Sequence, residues 1–287
     1  MRDLVKESIK KLDALYTGEE RLIKGLSTGF RLLDNAISGL QKGHLTVVVG
    51  GPSMGKTAFV LSIAQQVACQ QEIPVLFFSM RKSKEEIIRR MLTSKARVDF
   101  HKISSGFFSP SDWPKLTAAA SVLSELRFYV DDRLLSIEEI EETIKYYVSE
   151  MGVGLVVIDA LQEIEGGFYG PKYERRINME RFCNIIKKVA VEEDIPILLT
   201  YWAPTYFDEH HQQTPPLYVF KKEEGNLPCH ADEIVMLYRE EYYEPSEDNN
   251  GITTIRIIKP EAKLINVTAL FHKEFLLFED MPKGGVL

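Results

Sequence analysis

Leu45-Thr46-Val47-Val48-Val49-Gly50-Gly51-Pro52-Ser53-Met54-Gly55-Lys56-Thr57 is the stretch whose reading decides the fold. Its last eight residues have the form G-x-x-x-x-G-K-[ST], the phosphate-binding loop. The mostly apolar run Leu45–Val49 precedes it, and the helix-like run Ala58-Phe59-Val60-Leu61-Ser62-Ile63-Ala64 follows. A strand feeding a glycine-rich turn into a helix is the setting this chemistry needs. The glycines let the backbone curl, so that successive N–H groups point at phosphate oxygens. The helix adds its positive N-terminal end. Gly50, Gly51, Pro52, Ser53, Met54, Gly55, Lys56 and Thr57 are therefore the candidate nucleotide-binding residues. Lys56 would reach the β- and γ-phosphates, and the Thr57 hydroxyl would hold Mg²⁺. The plainer alternative, a strand-to-helix turn with a chance lysine, leaves both flanks unexplained.

The second half of such a site is a buried strand ending in a carboxylate. Gly154-Leu155-Val156-Val157-Ile158-Asp159 supplies it, about a hundred residues downstream. Its C-terminal edge would present Asp159 to the Mg²⁺ shell, through water. Lys56 and Asp159 are thus the candidate catalytic residues, and Thr57 and Asp159 the candidate metal residues. Further strands are predicted at Pro74–Ser79, Arg127–Asp132, Pro196–Thr200 and Asp232–Tyr238. Helices are predicted near 83–95, 111–124, 136–151 and 177–193. Residues 165–176 read as a mobile loop, and a long polar loop runs from about 203 to 229. Residues 253–258 and 265–270 read as antiparallel strands joined at Pro260, and Phe275–Phe278 closes the fold. Strand and helix alternate through the centre. The fold class is α/β, a mostly parallel sheet flanked by helices with antiparallel C-terminal strands. The expected organisation is a linker helix and linker over 1–24, one ATP-binding domain over 25–280 and a flexible tail over 281–287.

Bulk properties exclude several classes. The net charge of −7 argues against a surface that is basic all over, though not against a locally basic channel. Cys69, Cys183 and Cys229 are far apart and form no C-x-x-C pair or zinc spacing. Buried thiols in a reducing cytoplasm are the expectation. His210-His211 fits a solvated loop. The charged start, Met1 to Glu7, lacks a signal peptide's apolar core, and no stretch is long and apolar enough for a membrane span. Leu4, Val5, Ile9, Leu12, Leu15 and Tyr16 repeat at helical spacing, so a helix over 4–16 packs on its own domain or on a neighbouring molecule.

Taken together, these motifs resemble the C-terminal motor domain of DnaB-type replicative DNA helicases, which implies a RecA-like fold. The similarity runs from about Gly25 to Glu279. It includes Ser27-Thr28-Gly29-Phe30, Leu40-Gln41, Pro52–Thr57, Phe78-Ser79-Met80 and Arg90-Met91-Leu92. It continues through Asp112-Trp113, Tyr129–Asp132, Ile158-Asp159-Ala160-Leu161-Gln162 and Ala231–Arg239. The resemblance implies ATP and Mg²⁺ as ligands, hydrolysis between the subunits of a hexameric ring, and single-stranded DNA in its hole. It also implies that the helix over 4–16 docks on the adjacent subunit, and that an active helicase, a primase or a loader is a possible partner. No membrane partner is expected.

Three departures from the family pattern bear on catalysis. The family's water-polarising glutamate, after the strand ending Phe78-Ser79, reads Arg81 here. A guanidinium is not a base at neutral pH. Glu85 and Glu86, about one helical turn on, are the candidate substitutes. The family's γ-phosphate-sensing glutamine, at the end of the Pro196 strand, reads Tyr201. The lysine, glutamine and trans-acting arginine after the late strand read Lys259-Pro260-Glu261. In addition, the loop Ala203–Pro216 contains Asp208 and Glu209 and no Lys or Arg, which weakens its fit to a DNA backbone. Lys172, Arg175 and Arg176 remain as basic candidates. The resemblance thus implies a site that binds ATP·Mg²⁺ and hydrolyses it slowly. The alternative is a non-catalytic ATP-binding ring or a regulatory partner of an active helicase.

Overall fold

The computed structural model describes residues 24–164, 172–202, 230–258 and 264–282. Among the described residues nine strands form one sheet: β1 (Leu45–Gly50), β2 (Val75–Ser79), β3 (Phe128–Asp131), β4 (Leu155–Asp159), β5 (Ile197–Trp202), β6 (Glu233–Tyr238), β7 (Ile252–Ile258), β8 (Ile265–His272) and β9 (Leu277–Asp280). Their spatial order is β3-β2-β4-β5-β1-β6-β7-β8-β9. The first six pair in parallel, and β7, β8 and β9 are added antiparallel. The parallel strands sit in the middle because both of their faces are covered, as near-continuous apolar runs demand. Every residue of β1, β2 and β4 is buried.

The pleat divides these runs between two cores. Leu45, Val47 and Val49 of β1 join Val156 and Ile158 of β4 and Ile197, Leu199 and Tyr201 of β5 on one face. Val48, Leu155, Val157 and Leu198 point to the other. Helices α6 (Ile137–Met151) and α7 (Lys172–Glu192) cover the first face with Ile140, Ile144, Phe182 and Ile186. Helices α1 (Arg31–Ile37), α2 (Lys56–Gln70) and α3 (Lys84–Ala96) cover the second, with Phe30, Leu33, Phe59, Ile63 and Ile87. Helix α5 (Trp113–Ser124) lies outside α3 and buries only Ala119. Helix α2 carries ten buried residues in its fifteen, more than one face can hold, because β9 closes over its outer side. Phe278 of β9 packs edge-on against Phe59, with ring centroids 5.3 Å apart.

The structure differs from the sequence reading in three places. A six-residue helix, α4 (Phe100–Ser105), stands where none is predicted. Asp99 caps it through the N–H groups of His101 and Lys102, and Gly106 ends it at φ 75°. Helix α7 begins at Lys172, so the basic candidates Lys172, Arg175 and Arg176 lie in its first turns rather than in a loop. Strand β5 runs two residues past Thr200, to Trp202. The helix over 4–16, the polar loop over 203–229 with His210-His211 and Cys229, and the turn at Pro260 lie outside the described residues. Cys183 is buried as expected, and burial pushes its thiol pKa up; Cys69 is half-buried. Among the described residues no helix is long and apolar enough to cross a membrane.

Helix α6 shows how locally these elements are specified. The Ser136 hydroxyl accepts from Glu139 N–H, and the Glu139 carboxylate accepts from Ser136 N–H at 2.8 Å. Gly152 ends the helix at φ 66°. Ser136→Ala should lower unfolding stability by about 1 kcal/mol, the usual worth of such a cap. Urea unfolding with an unchanged m-value checks it.

Candidate nucleotide-binding site

In a parallel sheet the strands end on one side, and ligands sit beyond those ends. Five ends meet here. β1 runs into the glycine-rich loop, β2 into Arg81, β4 ends in Asp159, β5 in Trp202 and β6 leads into Arg239. Register aligns them: Ser79 lies opposite Asp159, and Gly50 opposite Trp202. They border a cavity of about 800 Å³ whose wall includes Lys56, Thr57, Arg81, Asp159, Glu163, Trp202 and Arg239. Among the described residues its charged lining is six cationic side chains, completed by Lys82, Arg90 and Lys273, against two carboxylates. That balance suits a polyanion.

The loop is held in shape by its own atoms. Lys56 Nζ donates to the carbonyls of Gly50 and Gly51, both at 2.8 Å. Gly55 precedes α2 at φ 88°, and a Cβ there would lie 2.8 Å from the Phe278 ring, so both backbone and space require glycine. Arg239 Nη1 donates to Ser53 O at 3.0 Å, while its guanidinium lies 4.4 Å over the Phe271 ring. The same guanidinium pairs with Glu241, which also accepts from Gly251 N–H at 2.8 Å. Burial pushes the Glu241 carboxyl pKa up, but the hydrogen bonds from Gly251 and Arg239 outweigh it and hold it below the usual range.

Asp159 joins three elements. Its Oδ2 accepts from Thr57 Oγ1 at 2.7 Å, and its Oδ1 from Thr200 Oγ1 at 2.6 Å. The residue is 5% exposed. A hydroxyl and a carboxylate so placed at the foot of a phosphate loop fit a Mg²⁺ site. Among the described residues no cluster of three or more His, Cys, Asp or Glu could hold a metal ion. A Mg²⁺ here would therefore draw its other ligands from phosphate and water.

The turn after β2 is fixed by Met80 N–H donating to Asp159 O at 3.0 Å and by Ser79 Oγ donating to Lys82 O at 2.7 Å. Arg81 stands on this turn, and its Nε lies 3.4 Å from Glu163 Oε1. Glu163 ends a single 3-10 turn after β4, Leu161–Glu163, anchored by the fully buried Leu161 and by Ile164. Gln162, between them, donates from Nε2 to Trp202 O at 2.9 Å.

Residues 25–280 match the DnaB-like helicase C terminal domain family. The chain belongs to this family. Over 285 residues it is 30% identical to the replicative DNA helicase DnaB of Geobacillus stearothermophilus, covering 99% of this chain and 62% of that protein. The replicative DNA helicase DnaC of Bacillus subtilis (strain 168) matches to the same extent. The chain thus spans about three fifths of the length of each of these two relatives. Among solved structures, an isolated ATPase domain superposes with a TM-score of 0.85 at 25% identity, over 97% of this chain and 99% of that one. A DnaB-like replicative helicase, described with its interactions with primase, gives the same TM-score at 24% identity over 96% of this chain and 66% of that one.

Against this geometry, Lys56, Thr57 and Asp159 converge with Pro52, Ser53 and Gly55 in one pocket, whereas Met54 is buried in the core and Gly50 and Gly51 do not line the cavity. Glu85 and Glu86 do not line it: Glu86 pairs with Arg90 at 2.8 Å, and Glu85 is hydrogen-bonded at the start of α3. Tyr201 is buried in the core, because alternation turns Thr200 and Trp202 to the pocket side. The pocket residue at the end of β5 is therefore Trp202, two residues past the predicted strand end. Lys259 and Glu261 lie outside the described residues. Sequence reasoning missed Glu163 and Arg239; Glu163 was detectable only as an acidic residue four places after Asp159.

Thr200→Val removes one of the two hydroxyl donors to the buried Asp159 carboxylate. A hydrogen bond to a charged group contributes about 1.5–3 kcal/mol. Urea unfolding of the variant should show a loss of that order.

Proposed function

We propose that this chain is the ATP-binding motor domain of a replicative DNA helicase, gripping ATP·Mg²⁺ through Gly50–Thr57 and Asp159 and hydrolysing it slowly. The backbone of the loop and Lys56 would take the β- and γ-phosphates, once Lys56 leaves the Gly50 and Gly51 carbonyls. Thr57 would ligate Mg²⁺ directly and Asp159 through water; the metal would supply charge neutralisation. Family membership and the lining of the cavity by Pro52, Ser53, Gly55, Lys56 and Thr57 support the grip.

Arg81, a guanidinium on the turn after β2, stands where the family places its water-polarising glutamate, so any base must come from elsewhere. The sequence adds Glu261 at the position of the trans-acting arginine. An arginine finger is worth roughly 10³–10⁵ in rate, so its loss alone would account for slow turnover. Replicative helicase relatives support single-stranded DNA as the working partner and a homohexameric ring, docked through the helix over 4–16, as the assembly. A cytoplasmic setting and a primase or loader as partner belong to the same reading.

Turnover by the purified chain with single-stranded DNA should fall below about 1 s⁻¹, the lower end of the usual enzyme range. Lys56→Ala should abolish ATP binding measured by equilibrium titration. Turnover at or above that rate and dependent on Lys56 contradicts the slow reading; wild-type chain that binds no ATP contradicts the site itself.

A further inference from the structure

A base for water attack must lie in the pocket, within hydrogen-bond reach of the water. Among the described residues the cavity wall offers two carboxylates, Asp159 and Glu163. Asp159 is committed, one oxygen to Thr57 and the other to Thr200. Glu163 is not locked in this way. Its side chain is 37% exposed, and its partner Arg81 is 62% exposed at 3.4 Å. Ion pairs this open contribute little and give way readily. The backbone beneath it is firm, because the turn Leu161–Glu163 hangs between Leu161 and Ile164, both almost fully buried.

Gln162 adds an independent observation. It is 6% exposed and in the wall of the same cavity. Its Nε2 must face the Trp202 carbonyl to donate, which assigns the other end of the amide as oxygen. That Oε1 is buried without a hydrogen-bond partner among the described residues. A buried acceptor calls for a donor, and a water molecule offers two.

We propose that Glu163 is the catalytic base of this pocket, a carboxylate relocated from the turn after β2 to the turn after β4, with Gln162 as a second acceptor for the water. The inference rests on the pocket being an ATP site. In the step, the water oxygen forms a bond to the γ-phosphorus while the bond from that phosphorus to the bridging oxygen breaks. The electron pair leaves with ADP. The water proton passes to the Glu163 carboxylate and then to solvent. Arg81, released from Glu163 as the proton neutralises it, faces the negative charge of the departing phosphate. Slow turnover and a working base are compatible, because the base does not replace the trans-acting arginine.

The test compares wild type, Glu163→Gln, Glu85→Gln and Lys56→Ala. Each is measured for steady-state ATPase rate and for equilibrium binding of a non-hydrolysable ATP analogue with Mg²⁺. General bases contribute about 10²–10⁴-fold. Glu163→Gln should therefore lower kcat by about 100-fold with unchanged analogue affinity, and Glu85→Gln should change neither. Full activity in Glu163→Gln overturns the assignment, as does loss of analogue binding in it, which would make Glu163 a binding residue. Loss of turnover in Glu85→Gln alone places the base on α3 and overturns it too. If wild type binds the analogue but turns over no faster than Lys56→Ala, the base assignment fails while the ATP site stands. If wild type binds no analogue, the ATP site itself fails.

Discussion

The Asp159 carboxylate, held by Thr57 on one oxygen and Thr200 on the other, fixes the geometry on which the site depends. It ties the first turn of the phosphate-loop helix to the ends of two neighbouring strands. A buried carboxylate without donors would be costly, so each hydroxyl stabilises the fold as well as setting the site. The backbone carbonyl of the same residue accepts from Met80 N–H, which brings the turn carrying Arg81 to the same spot. Five strand ends thus converge because parallel pairing aligns them and one residue links three of them. The antiparallel strands matter less directly: β9 lays Phe278 over Gly55 and Phe59, walling the loop from behind.

Charge then sets what the pocket can accept. Among the described residues six cations face two carboxylates, although the whole chain carries −7. The local excess sits where a triphosphate would lie. In the structure the lysine of the loop turns inward, Lys56 onto the Gly50 and Gly51 carbonyls, and Arg239 grips Ser53 O from the other side. The loop backbone is therefore braced from both sides, and Lys56 is the part that a ligand must draw away. Arg81 and Glu163 stand at the edge of this arrangement as an open pair. A guanidinium there stands at the place that the family pattern assigns to the base, with the Glu163 carboxylate beside it.

What was legible in the sequence follows from range. The loop and its flanking strand and helix were readable because backbone and chemistry are specified over one short continuous stretch. Asp159 was readable because a buried strand ending in an acid is a local pattern. The amphipathic helix α6 carried its own cap, Ser136 with Glu139. Helix α4 was missed although Asp99 and Gly106 mark both its ends, because so short a helix gives no apolar period to count. The start of α7 was misplaced because the glycines up to Gly170 and Pro171 read as one loop with the charges that follow; yet Lys172 already belongs to the helix. Tyr201 stands where the family pattern has a sensing glutamine, yet it is buried in the core, and strand register cannot be counted until the end of the strand is known. Glu163 and Arg81 are far apart in the chain, and only the pairing of β2 with β4 brings them together. Nothing local announces such a pair.

A structure determined from the chain grown with ATP and Mg²⁺ tests the central claim most directly. The account predicts Lys56 Nζ drawn off the Gly50 and Gly51 carbonyls onto phosphate oxygens, with Mg²⁺ at Thr57 Oγ1 and the triphosphate intact in the cleft. Lys56 still closed on both carbonyls, with no nucleotide between Asp159 and Arg239, would contradict it.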